Sequence, residues 1–194
     1  MSGQICTLEM LCNCLSSGSW IKVYASSKPQ RLKRNRLLTT ISKLNKEWRV
    51  SFEVNPTRFR AKQSSVFHMT AGGKNSKPGD QTPAVWFHKS KGIMVAAYVN
   101  GKKGFLKTFK GLPNSGEWIK IKISQVKAGP QYIYSIAING AEKFSMEHTR
   151  AEEFSNVRVF ASSPYYSGQI GSIRKVTVEN KVDGKLETQL TEEL

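Results

Sequence analysis

Gly116 to Gly140, GEWIKIKISQVKAGPQYIYSIAING, decides the fold class. From Trp118 to Ser124 the residues alternate strictly: Ile119, Ile121 and Ile123 on one side, Trp118, Lys120 and Lys122 on the other. That period of two predicts a strand with one buried and one wet face. Ala128-Gly129-Pro130 predicts a reversal, and Tyr132, Tyr134, Ile136 and Ile138 share a face of the returning strand. Asn139-Gly140 then offers the residue pair with the strongest preference for a type I′ hairpin turn.

Outward from this hairpin the β signal is nearly continuous. Trp48 to Val54 alternates and is predicted to end at Asn55-Pro56. Ser64 to Thr70 and the PAVWFH run that ends at His88 follow, separated by the loop TAGGKNSKPGDQTP. Ile93 to Val99 and Gly104 to Phe109 form a second hairpin through Asn100-Gly101. Lys143 to Met146, Asn156 to Ser162 and Ile173 to Asn180 complete ten candidate strands, with a helical turn expected over Arg150 to Phe154. The expected fold class is all-β: a two-sheet antiparallel β-sandwich of jelly-roll type with flexible N- and C-terminal tails. No repeat of fixed period is present.

The expected domain runs from 47 to 180. Residues 28–46, KPQRLKRNRLLTTISKLNK, read as a basic linker with seven basic residues and no acidic one. A short helix over Arg36 to Leu44 is the alternative there. Within the linker, Arg31-Leu32-Lys33-Arg34 fits an R-x-K-R processing pattern, while the same charges serve equally as a solvated tail or an anion-binding segment. Residues 1–27 have some features of a secretory signal, an apolar stretch around Ile5 to Leu15 and small residues at Ala25-Ser26-Ser27. Glu9 interrupts the stretch and no Lys or Arg precedes it, so the signal is degenerate, and a secreted, extracellular location is the expectation. Residues 181–194 are polar and are expected to fray.

Composition narrows function without choosing it. Of 194 residues 23% are charged and 39% hydrophobic, ordinary for a globular chain, but the net charge is +16. An excess of that size favours polyanionic partners: sulfated glycan, nucleic acid, anionic lipid or phosphorylated protein. All three cysteines, Cys6, Cys12 and Cys14, precede the expected sandwich, which excludes a disulfide framework within it. No run reaches the roughly 18 apolar residues of a membrane span. No G-x-S-x-G elbow or phosphate-cradling G-x-x-x-x-G-K-S/T motif occurs.

EWRVSFEV, GDQTPAVWFH, VNGKK, GEWIKIKIS, YIYSIAINGAEKFS and the closing pair NVRVFASSPYY and GSIRKVTV together resemble the concanavalin A-like, laminin G-like jelly-roll domain, especially its small secreted single-domain invertebrate versions. The resemblance covers about Glu47 to Asn180. It implies two stacked curved sheets, a concave face or rim loops that bind glycans or protein, and an extracellular setting. The same superfamily contains glycoside hydrolases, whose retaining members place two carboxyl groups about 5 to 5.5 Å apart. The E-x-D-x-x-E or E-x-D-x-E pattern that would supply them is absent, and Asp80 and Asp183 are the only aspartates. No catalytic residue and no cofactor is therefore expected. Asp80 with Asn75 offers too few oxygens for calcium, and His68 with His88 lacks a third ligand, so no metal is expected either.

The expected function is a non-enzymatic extracellular module that binds glycans, with sulfated polysaccharide as the finer reading. A structural or adhesive protein that binds other proteins is the second reading, and a glycosidase the third; nucleic acid is not expected. Trp86, His88, Tyr98, Asn100, Tyr165 and Tyr166 are the candidate sugar-binding residues, because aromatic faces stack on sugar C–H surfaces and planar polar groups bridge hydroxyls. Trp86 and Tyr98 serve equally well as core; the polar His88 favours the Trp86/His88 face as the accessible one. The candidate basic patch is Arg31, Lys33, Arg34, Arg36, Lys102, Lys103, Lys107, Lys120 and Lys122, with Lys120 and Lys122 on one face.

Overall fold

The computed structural model describes residues 18–182, which fold as strands alone. In chain order these are β1 (Ser19–Ser26), β2 (Gln30–Arg31), β3 (Leu37–Leu44), β4 (Trp48–Arg58), β5 (Ser64–Thr70), β6 (Ala84–His88), β7 (Gly92–Val99), β8 (Lys102–Phe109), β9 (Ile119–Ala128), β10 (Gln131–Ile138), β11 (Ala141–Glu147), β12 (Phe154–Ala161) and β13 (Ile170–Val182). Cys6, Cys12, Cys14 and the expected tail from Asp183 onward lie outside the described residues.

Two antiparallel sheets result. One has the order β1-β13-β4-β9-β10-β11, with β2 also on β13; the other has the order β3-β12-β5-β6-β7-β8. The β9–β10 hairpin lies inside the seven-stranded sheet, as its alternation predicts. Ile119, Ile121 and Ile123 are buried, and Lys120 and Lys122 are exposed. The Asn139-Gly140 and Asn100-Gly101 turns have positive φ at both residues, 51° and 83° in the first, 55° and 72° in the second. Those values are the type I′ geometry. Asn139 clamps the end of its hairpin: its N–H donates to the Lys120 carbonyl (2.8 Å), and the Lys120 N–H donates to Asn139 Oδ1 (2.9 Å).

The core fills the space between the sheets with the inward half of each strand. Phe52 of β4 stacks on Phe67 of β5 across that space, ring centroids 4.7 Å apart. Trp48 and Phe105 both meet the fully buried Tyr134 edge to face. Burying each such side chain contributes about 1.5–3 kcal/mol, and the sheets pack because only their inner faces carry this surface.

All ten expected strands are present, and the differences lie at the ends. Among the described residues the first strand of the sandwich begins at Ser19, well before Glu47. β1 runs along β13 from Ser19↔Val182 to Ser26↔Val176, so Ala25 and Ser26 sit within a paired strand. The expected linker is β2 and β3, not a helix: Leu37–Leu44 pairs with β12, and Leu32, Ile41 and Leu44 enter the core. The spacing of Leu37, Leu38, Ile41 and Leu44 suits a helix locally, but an edge beside β12 supplies the partner that a strand needs. β4 continues through Asn55-Pro56 to Arg58. Its ladder with β9 ends at Val54↔Ile119, so on that side no N–H is asked of Pro56. The expected helical turn at Arg150 to Phe154 is only a turn at Thr149-Arg150 that leads into β12.

Candidate functional site

Each sheet has an outer face, and the two differ in chemistry. On the seven-stranded sheet the outward residues of neighbouring strands align in rows. Thr177, Ser51, Lys122 and Ala137 form one row across β13, β4, β9 and β10. Arg49, Ser124, Ser135 and Ser145 form the next, across β4, β9, β10 and β11. The floor is thus paved with hydroxyls: Ser51 and Thr177 lie 3.3 Å apart and Ser124 and Ser135 2.9 Å apart. Small side chains make the floor low and long lysines make its walls. The result is a depression of about 410 Å³ lined by Lys120, Lys122, Ser124, Ser135, Ala137, Gly140 and Glu142.

Charges beside the depression are held in place. β13 bulges between Arg174 and Thr177, with φ of 48° at Lys175, so two consecutive side chains that a regular strand would send to opposite faces both reach Glu53. Lys175 Nζ lies 2.8 Å and Arg174 Nε 2.7 Å from its carboxylate. The Lys175 hydrogen bond, with Arg174 beside it, holds the Glu53 carboxyl below the usual range. Lys120 stands directly across from Glu53, whose charge two other cations already answer, so positive charge is in surplus here. Arg174 Cζ also lies over Trp118, 3.9 Å from the ring centroid, and Arg49 Cζ over Trp20 at 3.6 Å, two cation–π pairs that keep both guanidinium groups on this face.

The outer face of the six-stranded sheet is aromatic and covered. Val85 and Phe87 point into the core, so Trp86 and His88 face outward, the choice between the two faces that the polar His88 favours. Trp86 is nevertheless only 3% exposed. With Ala84, Met94 and Ala96 it forms a second apolar cluster, roofed by Tyr166 from the β12–β13 loop at 5.7 Å and 88° to the indole. The expectation of an open Trp86 fails because outward parity is not exposure when a loop folds over the sheet. His88 pairs with Gly92 at one end of β7 and Tyr98 stands at the other, about 20 Å away at 3.3 Å per residue. His88 and Tyr98 therefore do not converge.

Two more candidates are occupied structurally. Asn100 Oδ1 accepts from the Thr149 N–H (2.7 Å), and its Nδ2 donates to the Glu147 carbonyl (2.9 Å), which fastens the β7–β8 turn to the end of β11. The Tyr165 hydroxyl donates to the Gly72 carbonyl at 2.7 Å. Asp80 is spent on its own loop: its carboxylate accepts from the N–H groups of Gly73 (2.7 Å), Ser76 (2.7 Å) and Lys77 (2.8 Å). Burial by itself would raise the Asp80 carboxyl, but these donors outweigh it and hold the group below the usual range. His68 pairs with Ala84 and Phe160, away from His88.

The expected basic patch is three places. Arg31, Lys33, Arg34 and Arg36 are exposed where β2 leads into β3. Lys102 and Lys107 lie on β8, an edge strand, where lysines discourage pairing with another chain. Lys107 is half-buried with its ammonium 4.1 Å over Phe144; the side chain of Lys103 lies outside the described residues. Of the patch residues whose side chains are described, only Lys120 and Lys122 line a depression. A second cavity, about 450 Å³ at the β1–β3 end, includes Lys43, Glu47, Glu153 and Lys181 in its lining. Those four charges pair with one another there, Lys43 with Glu153 at 3.1 Å and Lys181 with Glu47 at 3.3 Å. Arg49, Ser51, Ser145 and Thr177 escaped sequence reasoning, because only strand register reveals that they share rows with Lys122 and Ser124.

No family model matches the sequence, and no curated protein does. Solved structures do share the fold. A heptameric SAP-like pentraxin from Limulus polyphemus aligns with TM-score 0.51 and 14% identity, over 79% of this chain and 73% of the pentraxin. The binding domain of botulinum neurotoxin DC, in complex with SialylT, aligns with TM-score 0.52 and 12% identity, over 89% of this chain and 51% of that one. Trypanosoma rangeli sialidase aligns with TM-score 0.50 and 9% identity, over 70% of this chain and 21% of the enzyme. The fold is a concanavalin A-like β-sandwich, as the sequence resemblance implies.

Proposed function

We propose that this protein is a non-enzymatic binding module that takes an anionic glycan, sulfated polysaccharide in particular, on the outer face of the seven-stranded sheet. One observation carries the reading: Lys120 and Lys122 rise side by side above a hydroxyl-paved depression of about 410 Å³. Ammonium groups answer sulfate or carboxylate, and serine and threonine hydroxyls answer sugar hydroxyls, so both halves of an acidic sugar find partners. The hydroxyl rows extend from β13 to β11. At about 4.8 Å per strand the depression, lined from β9 to β11, is roughly 10 Å across, and the hydroxyls of Ser51 and Thr177 continue beyond it to β13. The net charge of +16 gathers such polymers from solution, and an extracellular setting belongs to the same proposal. Binding of SialylT by a domain of this fold supports it. Glu53, held ionised between two cations, is unsuited to act as a general acid, which supports binding over hydrolysis.

The test is titration of the protein with heparin and with a neutral polysaccharide across a salt series. Heparin binding should weaken steeply with salt, and the double substitution Lys120→Gln, Lys122→Gln should raise Kd roughly ten-fold, about 1.4 kcal/mol. Lys102→Gln, on the edge strand β8 of the other sheet and outside the depression, should change it little. Equal losses from the two variants would reduce the effect to net charge and remove the depression from the proposal. Release of reducing sugar by the purified protein would overturn the non-enzymatic reading.

A further inference from the structure

The sequence contains two Asn-Gly pairs, Asn100-Gly101 and Asn139-Gly140. Both form type I′ turns, yet the two asparagine amides are held differently. A glycine after an asparagine leaves the next backbone nitrogen uncovered, because no Cβ stands beside it. That nitrogen is then the nucleophile closest to the side-chain carbonyl carbon. Whether it reacts depends on what holds the amide and what surrounds the turn.

Asn100 is locked. Its Oδ1 accepts from the Thr149 N–H (2.7 Å) and the Thr149 hydroxyl (3.2 Å), and its Nδ2 donates to the Glu147 carbonyl (2.9 Å). Arg150 Nη1 covers the turn, 2.7 Å from where a side chain on Gly101 would begin. Asn139 is open. It and Gly140 are exposed, and nothing lies within 4 Å of the place a Gly140 side chain would occupy. Among the described residues the Asn139 Nδ2 has no hydrogen-bond partner; the one bond to this amide runs from the Lys120 N–H to Oδ1 at 2.9 Å. That donor points at the oxygen which takes up negative charge when Cγ is attacked, so it stabilises the charge rather than blocking the attack. Lys120 and Lys122 line the same depression as Gly140, and their positive potential favours loss of the Gly140 amide proton.

We propose that Asn139 is a site of deamidation in the folded protein, with water as the co-reactant. The Gly140 nitrogen gives its proton to a solvent base and bonds to Asn139 Cγ; the Cγ–Nδ2 bond breaks, and Nδ2 takes a proton from water and leaves as ammonia. Water then opens the resulting five-membered imide at either carbonyl, which leaves an aspartate or an isoaspartate at position 139. No electrons are exchanged. Each product carries a carboxylate where the amide was neutral. Lys120 and Lys122 against Glu142 give the lining of the depression a surplus of one positive charge, and a carboxylate beside Lys120 cancels it. Deamidation therefore discharges the depression with time. This consequence rests on the anionic-glycan reading; the modification itself does not.

The test holds the folded protein and the urea-unfolded chain at mildly alkaline pH and follows the peptides that contain Asn139 and Asn100 by mass spectrometry, for the mass gain of amide to acid. In the folded protein Asn139 should convert at least about five-fold faster than Asn100, the factor that one ordinary hydrogen bond supplies. In urea, where only the shared dipeptide remains, the two rates should be similar. Conversion of Asn100 as fast as Asn139 in the folded protein, or an Asn139 that stays intact when folded while it converts in urea, overturns the proposal. For the consequence, heparin is titrated into Asn139→Asp and Asn139→Gly, the second of which keeps the positive φ without the charge. Kd should be roughly three-fold higher for Asn139→Asp, the size of effect one exposed charge has. Equal values would overturn the discharge of the depression while the mass spectra decide the modification independently.

Discussion

His68 shows how a single residue can look like a ligand and act as a brace. It has no exposed surface; Nε2–H donates to the Asp80 carbonyl (2.8 Å), and Nδ1 accepts from the Ser163 hydroxyl (3.0 Å). That ties β5 to the two loops that border the aromatic face. Burial pushes its pKa down to about 4, so the folded protein holds it neutral while the unfolded chain protonates it near 6.5. Protons therefore favour the unfolded state between those values, and stability falls as pH drops from about 6.5 to about 4, by roughly 2–3 kcal/mol in all. His148, also pushed down by burial, adds in the same direction. Urea midpoints measured across this range should show the slope, and His68→Gln should flatten most of it; an unchanged slope in the variant would assign the acid sensitivity elsewhere. Below that window Glu53 and Asp80, both held low, lose their partners on protonation and destabilise the fold further.

At the scale of elements, the β2–β3 connection contains the R-x-K-R pattern, but its backbone is not free. Gln30 and Arg31 pair with Ile173 and Ser172, the Leu32 N–H donates to the Gly171 carbonyl (2.9 Å), and the Asn35 N–H donates to the Ser163 carbonyl (3.0 Å). Leu32 is buried at 7% exposure. A protease must draw several residues into extended form in its cleft, which here means breaking those bonds and pulling Leu32 from the core. Native protein should resist a dibasic-specific protease that cuts the urea-unfolded chain after Arg34, as read by gel and mass; rapid native cleavage would show that this connection opens locally. The β9–β10–β11 meander makes the converse point, since its alternation and its Asn-Gly turn were legible directly. A strand wet on one face and ended by a positive-φ pair leaves its period in the residues themselves. β3 leaves no such period, and its strand character comes from β12 beside it.

For the whole molecule, the position of β1–β3 sets the size of the folding unit. A chain that begins at Glu47 keeps all ten strands visible in the sequence but loses Leu32, Ile41 and Leu44 from the core and strips both sheets of an edge. With about 2–5 kcal/mol lost for each large buried side chain removed, such a truncation should fail to fold, as shown by loss of NMR dispersion and of a cooperative melt, whereas a chain that begins at Gly18 should melt cooperatively. The candidate sites follow the same logic. The residues alone determined that the protein is an all-β sandwich and that Lys120 and Lys122 share a wet face, because parity along a strand is a local property of the backbone; for β6 they set Trp86 and His88 on one face, and only the polar His88 favoured that face as the outward one. Only the tertiary structure decided which outward residues are reachable. Strand order placed Ser51, Thr177 and Arg49 beside the lysines, and a distant loop laid Tyr166 over Trp86. Both depend on segments far apart in the chain, and no period within one strand encodes what packs on top of it.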